Sequence, residues 1–327
     1  MSIKPQALWT VAAGKAALRP CVIAPPAEGE VQITALLSGI SRGTEALVFR
    51  GKVPPSEWAR MRCPNQEGEF PFPVKYGYAM VGEVVDGASD YIGRRVFALH
   101  PHQSLFNLPL ESVVEVPTSI PTERAVLAPQ METALNATWD AAARFGDRIA
   151  VVGGGVIGLL TAYLCARAKG VRDVTLIDAN PSRAAQAQAL GLKFATPMDD
   201  LPHKCQIVFH ASNTAQGLNL ALSLAAFEAT VIELSWFGDT PVPVNLGGAF
   251  HSQRLTLRSS QVGAVALSRR AKWDFRRRLT KALSLCADPA LDVLVAKKTP
   301  LTKIVRRMPA ILSDPETLCH LIQYQER

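Results

Sequence analysis

Hydrophobic and polar positions divide the chain into two kinds of pattern. As far as about residue 128, short apolar runs alternate with turns that carry proline and glycine. Such runs are typical of β-strands, and their spacing predicts a small, partly open barrel. The runs cover residues 31–37, 81–85, 95–99 and 113–116. A polar stretch at 50–73 interrupts them, and we expect a loop there with a short helix at 56–61.

From about residue 130, apolar runs alternate with stretches of helical spacing. The runs cover residues 148–152, 173–178, 205–210, 229–234 and 255–260. This alternation predicts an α/β fold, a doubly wound parallel sheet with helices on both faces. Beyond about residue 262 the alternation stops, and the pattern predicts only helices, at 273–287 and 302–312.

A glycine-rich turn follows the first of these strands directly. Gly153, Gly155 and Gly158 form a G-x-G-x-x-G motif that opens an apolar helix, and Asp178 ends the next strand. In a dinucleotide site the glycines allow a tight turn, a close approach of the pyrophosphate and close packing of helix on strand, and the acid faces the adenosine ribose. Val156 and Ile157 begin the helix that would face the phosphates. The sequence therefore predicts a bound dinucleotide.

Composition narrows the class of protein. The 327 residues, 48% hydrophobic and 19% charged, predict a soluble globular protein of about two domains. The six cysteines are scattered, with no C-x-x-C pair, which argues for a reducing cytoplasm and against a disulfide framework or structural zinc. No secretory signal is recognisable at the N-terminus. The most apolar stretch, 156–168, is too short to span a membrane.

The net charge of +7 is concentrated in one segment. Its basic residues are Arg269, Arg270, Lys272, Arg276, Arg277 and Arg278. They form either a solvated helix face or an electropositive rim that attracts an anionic substrate or cofactor. Nucleic acid binding is not expected, because no recognised motif accompanies the charge.

Four further motifs, together with the glycine turn, give the chain a family resemblance. They are SGISRGTE at 38–45, YGYAMVGEVV at 76–85, IGRRV at 92–96 and PQMETALNA at 129–137. On these segments nearly the whole chain resembles the medium-chain dehydrogenase/reductase superfamily, which is alcohol dehydrogenase-like. The resemblance implies a GroES-like β-barrel catalytic domain at 1–128, a Rossmann domain at 129–261 and a return segment at 262–327 that completes the catalytic domain.

The zinc ligands of that family are missing from the matching positions. The cysteine position corresponds to Ser41, or to Arg42 with a different gap; the histidine position is Tyr78, and the third position is Pro129. A catalytic zinc needs three protein ligands, so the resemblance implies a zinc-independent member. The four-cysteine structural lobe is also absent, since Cys63 stands alone.

Two histidines offer the remaining metal alternative. His100 and His102 stand at i and i+2, which places them on one side of an extended segment. No third ligand is close in sequence, so we expect no metal. His102 is instead either a candidate proton donor or a structural histidine.

The candidate catalytic residues follow from the resemblance. Tyr78 occupies a ligand position, and its phenol either acts as general acid or packs beneath the cofactor. Thr44 matches a polar relay to solvent. Glu45 either joins that relay or is a carboxylate in the first turn of a helix. Glu132 opens a helix close to the expected cleft, and it is either a cleft residue or an acid of the first helical turn.

The resemblance also assigns the nicotinamide end of the cofactor. Thr133 would pack against the ring, and the segments around Trp236 and Ser260 would hold the carboxamide through backbone atoms. Asp178 favours NAD(H), because a carboxylate repels the 2′-phosphate of NADP. Arg183 is the counterweight, since it could pair with that phosphate or stack on adenine.

The sequence thus predicts an NAD(H)-dependent, zinc-independent oxidoreductase that transfers a hydride to or from a carbonyl, an alcohol or an activated C=C of a small substrate. If the basic segment forms an electropositive rim, it would attract an anionic substrate. The alternatives are an NADPH-dependent quinone or enone reductase and a non-catalytic dinucleotide-binding protein. The alternating segment 255–262 resembles the edge strand through which family members dimerise, so we expect a homodimer. We expect no membrane partner.

Overall fold

The computed structural model describes residues 4–324. The chain forms two compact units. One contains the chain as far as Pro129 together with the stretch from Cys286 onward, and the other is Gln130–Leu285. The predicted return segment therefore begins at 286 rather than 262.

The elements of the first unit are mostly strands. In chain order they are β1 (Gln6–Ala12), β2 (Lys15–Pro20), β3 (Glu30–Ile40), α1 (Arg42–Phe49), β4 (Glu67–Gly68), β5 (Val74–Lys75), β6 (Met80–Gly87), β7 (Arg95–Ala98), β8 (Leu105–Pro109), β9 (Val113–Glu115) and α2 (Thr122–Ala125). The short helix expected at 56–61 is a 3₁₀ turn at Pro55–Glu57 instead, consistent with the prolines that precede it.

The elements of the second unit alternate as predicted. They are α3 (Ala128–Ala141, which begins just before the unit boundary), β10 (Arg148–Val152), α4 (Val156–Ala166), β11 (Asp173–Ile177), α5 (Arg183–Ala189), β12 (Lys193–Ala195), β13 (Cys205–His210), α6 (Ala215–Leu224), β14 (Ala225–Glu233), β15 (Thr256–Ser259) and α7 (Phe275–Leu285). The chain then returns to the first unit with β16 (Lys298–Pro300), α8 (Leu301–Ser313) and β17 (His320–Gln323).

The strands of the first unit form two sheets. The larger has the order β16-β17-β3-β6-β7-β9, with β8 also paired to β3, and the smaller has the order β2-β1-β5-β4. Residues of β3 alternate between buried and half-buried over most of its length, as expected for a strand with one face on a core. The GroES-like barrel stays a prediction.

The second unit contains one parallel sheet, in the order β12-β11-β10-β13-β14-β15. The order reverses direction beside β10, the strand that leads into the glycine turn. This is the doubly wound arrangement that the alternation predicts. Ligands of such sheets bind outside the carboxyl ends of the strands at the switch point.

Arg278 explains why the basic segment belongs to the second unit. Its side chain is 1% exposed, and its Nε donates to Glu132 Oε1 at 2.9 Å. One of its terminal nitrogens donates to Asn136 Oδ1 at 2.7 Å, so α7 is tied to α3. For Arg278 both expectations, a solvated face and an electropositive rim, are wrong, because this guanidinium is consumed inside the unit. The other five cations of the segment are exposed.

The cysteines and the apolar helices were the features from which the sequence analysis inferred a compartment. All six cysteines are free thiols. In the part of the chain that the structure describes, no helix combines the length and the apolar character needed to cross a bilayer.

Candidate active site

The glycine turn has the shape that a dinucleotide requires. Gly153 has φ +114°, and a Cβ there would lie 2.5 Å from the backbone nitrogen of Ser212. A Cβ on Gly158 would lie 1.7 Å from the carbonyl oxygen of Gly153. A Cβ on Gly155, by contrast, would meet nothing within 4 Å. The first and third glycines are therefore required by packing, whereas the second borders open space.

Asp178 lies beside this turn at the carboxyl end of β11. Its Oδ2 accepts the Gly154 N–H at 2.5 Å, and its Oδ1 accepts the Asn180 N–H at 2.7 Å. The two bonds fix the carboxylate and leave lone pairs for further donors, such as ribose hydroxyls. Arg183 is 3% exposed, and its Cγ would lie 3.2 Å from a Cβ on Gly154. These residues fit the adenosine half of a dinucleotide.

The residues expected near the nicotinamide also lie in the second unit. Thr133 is half-buried on α3, and Trp236 is half-buried just after β14. Ser260 is buried; its hydroxyl donates to Asp140 Oδ2 at 2.7 Å, which leaves its backbone carbonyl rather than its side chain for a ligand. Val156 and Ile157 are half-buried at the start of α4.

Tyr78 lies in a cluster of hydroxyls in the first unit. It hydrogen bonds with the side chains of Ser41 and Thr44. Burial raises the pKa of Tyr78 to about 12, and the negative charge of Glu45 acts in the same direction. The phenol is therefore protonated at neutral pH. The structure brings Tyr78 and Thr44 together, as the sequence predicts for a shared proton path.

His102 belongs to a second polar chain that meets this cluster at Glu45. His102 Nε2 lies 3.0 Å from Glu45 Oε2, and His102 Nδ1 lies 2.7 Å from Ser38 Oγ. Ser38 Oγ lies 2.8 Å from the Tyr324 hydroxyl. The other Glu45 oxygen accepts the Ser41 N–H at 2.7 Å, so Glu45 is both a helix N-terminal carboxylate and a partner of His102. A small pocket beside this pair is also lined by Leu8, Thr10, Val48, Tyr76 and Met308.

The residues at the positions where the resemblance implies metal ligands have the following surroundings. The Tyr78 phenol is bonded to Ser41 and Thr44, and Pro129 offers no ligand atom on its side chain. His100 stacks on Phe106 with ring centroids 3.8 Å apart, and its Nδ1 lies 2.9 Å from its neighbour's carbonyl oxygen. Among residues 4–324, no three or more His, Cys, Asp or Glu side chains are grouped to hold a metal.

Sequence reasoning missed a buried pair in the second unit. His210 Nδ1 lies 2.7 Å from Glu233 Oε2, and His210 is 0% exposed. The signal was available, because a histidine and a glutamate end two apolar strands. The sequence alone does not show that these strands are neighbours.

A family model matches the nucleotide part of the chain. The model is that of FAD-dependent oxidoreductases, and it covers residues 148–288, less than half of the chain. The match begins with β10 and the glycine turn, a motif that FAD and NAD folds share because both cofactors carry an ADP group.

Curated proteins with similar sequences are dehydrogenases. (R,R)-butanediol dehydrogenase of Bacillus subtilis is 24% identical over 71% of this chain and 75% of its own length. A protein of Cereibacter sphaeroides, 2-desacetyl-2-hydroxyethyl bacteriochlorophyllide A dehydrogenase, is 25% identical over 92% of both chains. A zinc-type alcohol dehydrogenase-like protein of Haemophilus influenzae is 24% identical over 65% of this chain and 60% of its own length.

Solved structures of the same kind share the fold over nearly the full length. L-idonate 5-dehydrogenase of Escherichia coli has a TM-score of 0.80 at 14% identity and covers 99% of each chain. An alcohol dehydrogenase of Escherichia coli solved with NADH has a TM-score of 0.75 at 16% identity, with coverage of 98% and 99%. A protein of Sinorhizobium meliloti that is named a zinc-binding dehydrogenase and was solved with NADP has a TM-score of 0.75 at 17% identity, with coverage of 99% and 100%. The chain thus has the fold of alcohol dehydrogenase-like enzymes. Curated relatives of the chain are named dehydrogenases, and the prediction that it is a dehydrogenase is confirmed.

Proposed function

We propose that this chain is an NAD(H)-dependent, zinc-independent oxidoreductase acting on a carbonyl, an alcohol or an activated C=C of a small substrate. The observation that carries the proposal is the Tyr78 phenol, which is bonded to Ser41 and Thr44 at the positions where the resemblance implies metal ligands. The second unit supplies the dinucleotide site, and the first unit supplies the groups that handle the proton.

The nucleotide site supports NAD(H) over NADP(H). Gly153 and Gly158 shape the turn, and Gly155 leaves room for the pyrophosphate. The Asp178 carboxylate, held by two backbone N–H groups, would accept bonds from the ribose hydroxyls and repel a 2′-phosphate. A bound nicotinamide supplies or accepts the hydride.

Tyr78 would serve as the proton donor. Its raised pKa keeps the phenol protonated at neutral pH, so it can donate to the substrate atom that gains negative charge. Thr44 holds the phenol in place and offers a hydroxyl through which the proton is replaced. Because Glu45 raises the pKa of Tyr78 further, the arrangement favours reduction at neutral pH, and oxidation should need a higher pH.

Zinc independence is proposed although a curated relative is named a zinc-type protein and solved neighbours are named zinc-binding dehydrogenases. Ser41, Tyr78 and Pro129 replace the ligands. Glu45 is already engaged by His102 and by the Ser41 N–H.

Three measurements on the purified protein test the proposal. Fluorescence titration should show tighter binding of NADH than of NADPH; tenfold preference for NADPH, about 1.4 kcal/mol, contradicts it. A substrate screen at the NADH absorbance band, run in both directions, should find turnover. After dialysis against a chelator, elemental analysis should find no zinc and the protein should keep its turnover. One tightly held zinc per chain, with activity lost on its removal, contradicts the metal-free chemistry.

A second candidate cofactor is favoured by the match to FAD-dependent oxidoreductases. The glycine turn and Asp178 would bind the ADP part of FAD in the same way. The visible absorbance spectrum of the purified protein decides between the two, because a retained flavin absorbs where NADH does not.

We infer further that the protein is a homodimer joined through β15. This strand ends the parallel sheet, and all four of its residues are exposed. An uncovered edge strand invites pairing with another chain, and pairing with its own copy covers it. Light scattering should give the mass of a dimer at micromolar concentration, and Leu257→Pro should give a monomer.

A further inference from the structure

Two neighbouring strands of the parallel sheet end in a buried ionisable pair. His210 is the last residue of β13 and Glu233 is the last of β14, and the two residues lie opposite each other in the strand register. The carboxyl ends of such strands form the edge where ligands bind. Neither side chain has a part in the proposed function as argued so far.

The pair connects the loops that follow the two strands. Glu233 Oε2 accepts the His210 Nδ1 proton at 2.7 Å, and Glu233 Oε1 accepts the Ser235 N–H at 2.6 Å. His210 Nε2 lies 2.7 Å from Ser212 Oγ. One imidazole thus fixes Ser212 after β13, and one carboxylate fixes Ser235 after β14.

The same loops are bonded to each other and to the next helix. Ser212 Oγ lies 3.0 Å from Thr214 Oγ1, which accepts the Gly217 N–H at 3.0 Å as the cap of α6. Ser235 Oγ accepts the Asn213 N–H at 3.0 Å. Ser212 therefore closes a network and is not a free nucleophile.

Close packing joins this network to the glycine turn. A Cβ on Gly153 would lie 2.5 Å from the Ser212 nitrogen, and a Cβ on Gly217 would lie 2.0 Å from Ser212 Oγ. The backbone of Ser212 therefore lies against the glycine turn, whereas its hydroxyl faces Gly217 and the rest of the network. His210 is fully buried, so its contacts are with the protein rather than with solvent.

We propose that His210 and Glu233 are positioning residues for the nicotinamide half of the dinucleotide. They hold the loops at 211–214 and 234–238, which follow β13 and β14 at the ligand edge of the sheet; the second loop contains Trp236. The inference rests on the proposed dinucleotide site. It assigns the pair a role distinct from that of Asp178, which serves the adenosine half.

Two ligands separate the halves of the site. Isothermal titration with ADP-ribose reports binding of the adenosine, the pyrophosphate and both riboses, and NADH adds the nicotinamide ring. His210→Asn keeps a donor toward Glu233 but loses the bond to Ser212, and we expect it to weaken NADH binding at least tenfold while ADP-ribose binding stays within twofold. His251→Asn, an exposed histidine of the same unit, is the matched control and should change neither affinity.

A purely structural role would lower both affinities together and would contradict the proposal. Ser212→Ala is the second variant, because Ser212 is half-buried and its loss does not strip a partner from a buried charge; it should reproduce the selective loss. If neither variant changes the ratio of the two affinities, the inference is wrong. If the wild-type protein binds neither ligand, the proposed dinucleotide site itself has failed.

Discussion

At the scale of single residues, the proposed chemistry depends on the side chain of Tyr78. Tyr78 stands where the resemblance implies a metal ligand, and its phenol is bonded to Ser41 and Thr44. A phenol that stays protonated in a partly dry environment can donate a proton without a metal. The identity of this residue came from the sequence, whereas its hydroxyl partners came from the structure.

Replacing Tyr78 by phenylalanine should separate catalysis from binding. Loss of a general acid typically lowers the rate about 10²- to 10⁴-fold, and we expect turnover of Tyr78→Phe to fall by that range. Affinity for NADH should stay within a few-fold, because the nucleotide contacts lie in the other unit. Stopped-flow measurement of the hydride-transfer step is the check; unchanged transfer would leave the phenol a packing role, and His102→Gln would be tested next.

At the scale of elements, the β10–α4 turn depends differently on its glycines. A methyl at position 158 would lie 1.7 Å from a backbone oxygen, so Gly158→Ala must push α4 away from β10 and should cost about 1–3 kcal/mol of unfolding free energy. Gly155→Ala has open space and should change stability by less than about 1 kcal/mol. It should nevertheless weaken NADH binding at least tenfold, since the methyl occupies the approach of the pyrophosphate. Equal loss of stability in both variants, measured by urea unfolding, would refute the distinction.

The attachment of α7 to α3 depends on a buried ion pair. Arg278 and Glu132 side chains are 1% and 7% exposed and lie 2.9 Å apart. Burial raises the pKa of Glu132, and Arg278 lowers it. Arg278→Met would leave the carboxylate buried without its cation, at a cost of about 3–5 kcal/mol.

The exposed neighbour Arg276 provides the control. Arg276→Met should change the free energy of unfolding by no more than about 0.5 kcal/mol. Adding Glu132→Leu to Arg278→Met should restore much of the loss, because the unpaired charge is then removed. A small effect of Arg278→Met alone would mean that α7 is held chiefly by its apolar face.

At the scale of the whole molecule, stability should fall in mild acid. Burial lowers the pKa of His100 to about 3 and that of His320 to about 4, from an ordinary 6.5. Between the lowered pKa of each folded histidine and the ordinary value of 6.5, the unfolded chain binds more protons than the folded one. The histidines' contribution to the free energy of unfolding is therefore fully present above pH 6.5 and is lost as the pH falls. Because a tenfold difference in proton affinity between the two states corresponds to about 1.4 kcal/mol, the loss from His100 alone amounts to a few kcal/mol by pH 4.

The variant His100→Phe tests this dependence. Phenylalanine keeps a ring against Phe106 and removes the titrating group. The free energy of unfolding, measured in urea from pH 7 to pH 4, should therefore fall less steeply than in the wild type. His203→Gln, at an exposed position, should keep the wild-type slope, and an unchanged slope in His100→Phe would show that acid acts through other groups.

The sequence by itself determined the features that depend on local pattern. The doubly wound sheet follows from alternating strand and helix spacing, and the glycine turn from a motif in which each glycine meets a local steric demand. Tyr78 and Thr44 were predicted to handle a proton because they occupy positions that the resemblance singles out, and that role stays a prediction. All of these are properties of short segments.

Tertiary structure alone decided which distant side chains pair. Arg278 was predicted to be a surface cation, but it meets Glu132 across 146 positions of sequence; its burial puts residues 262–285 in the nucleotide unit. His102 meets Glu45 across 57 positions, and His210 meets Glu233 because β13 and β14 are neighbours. A buried charge must find a partner, but the identity of that partner depends on the order of strands and the packing of helices, which a linear pattern does not contain.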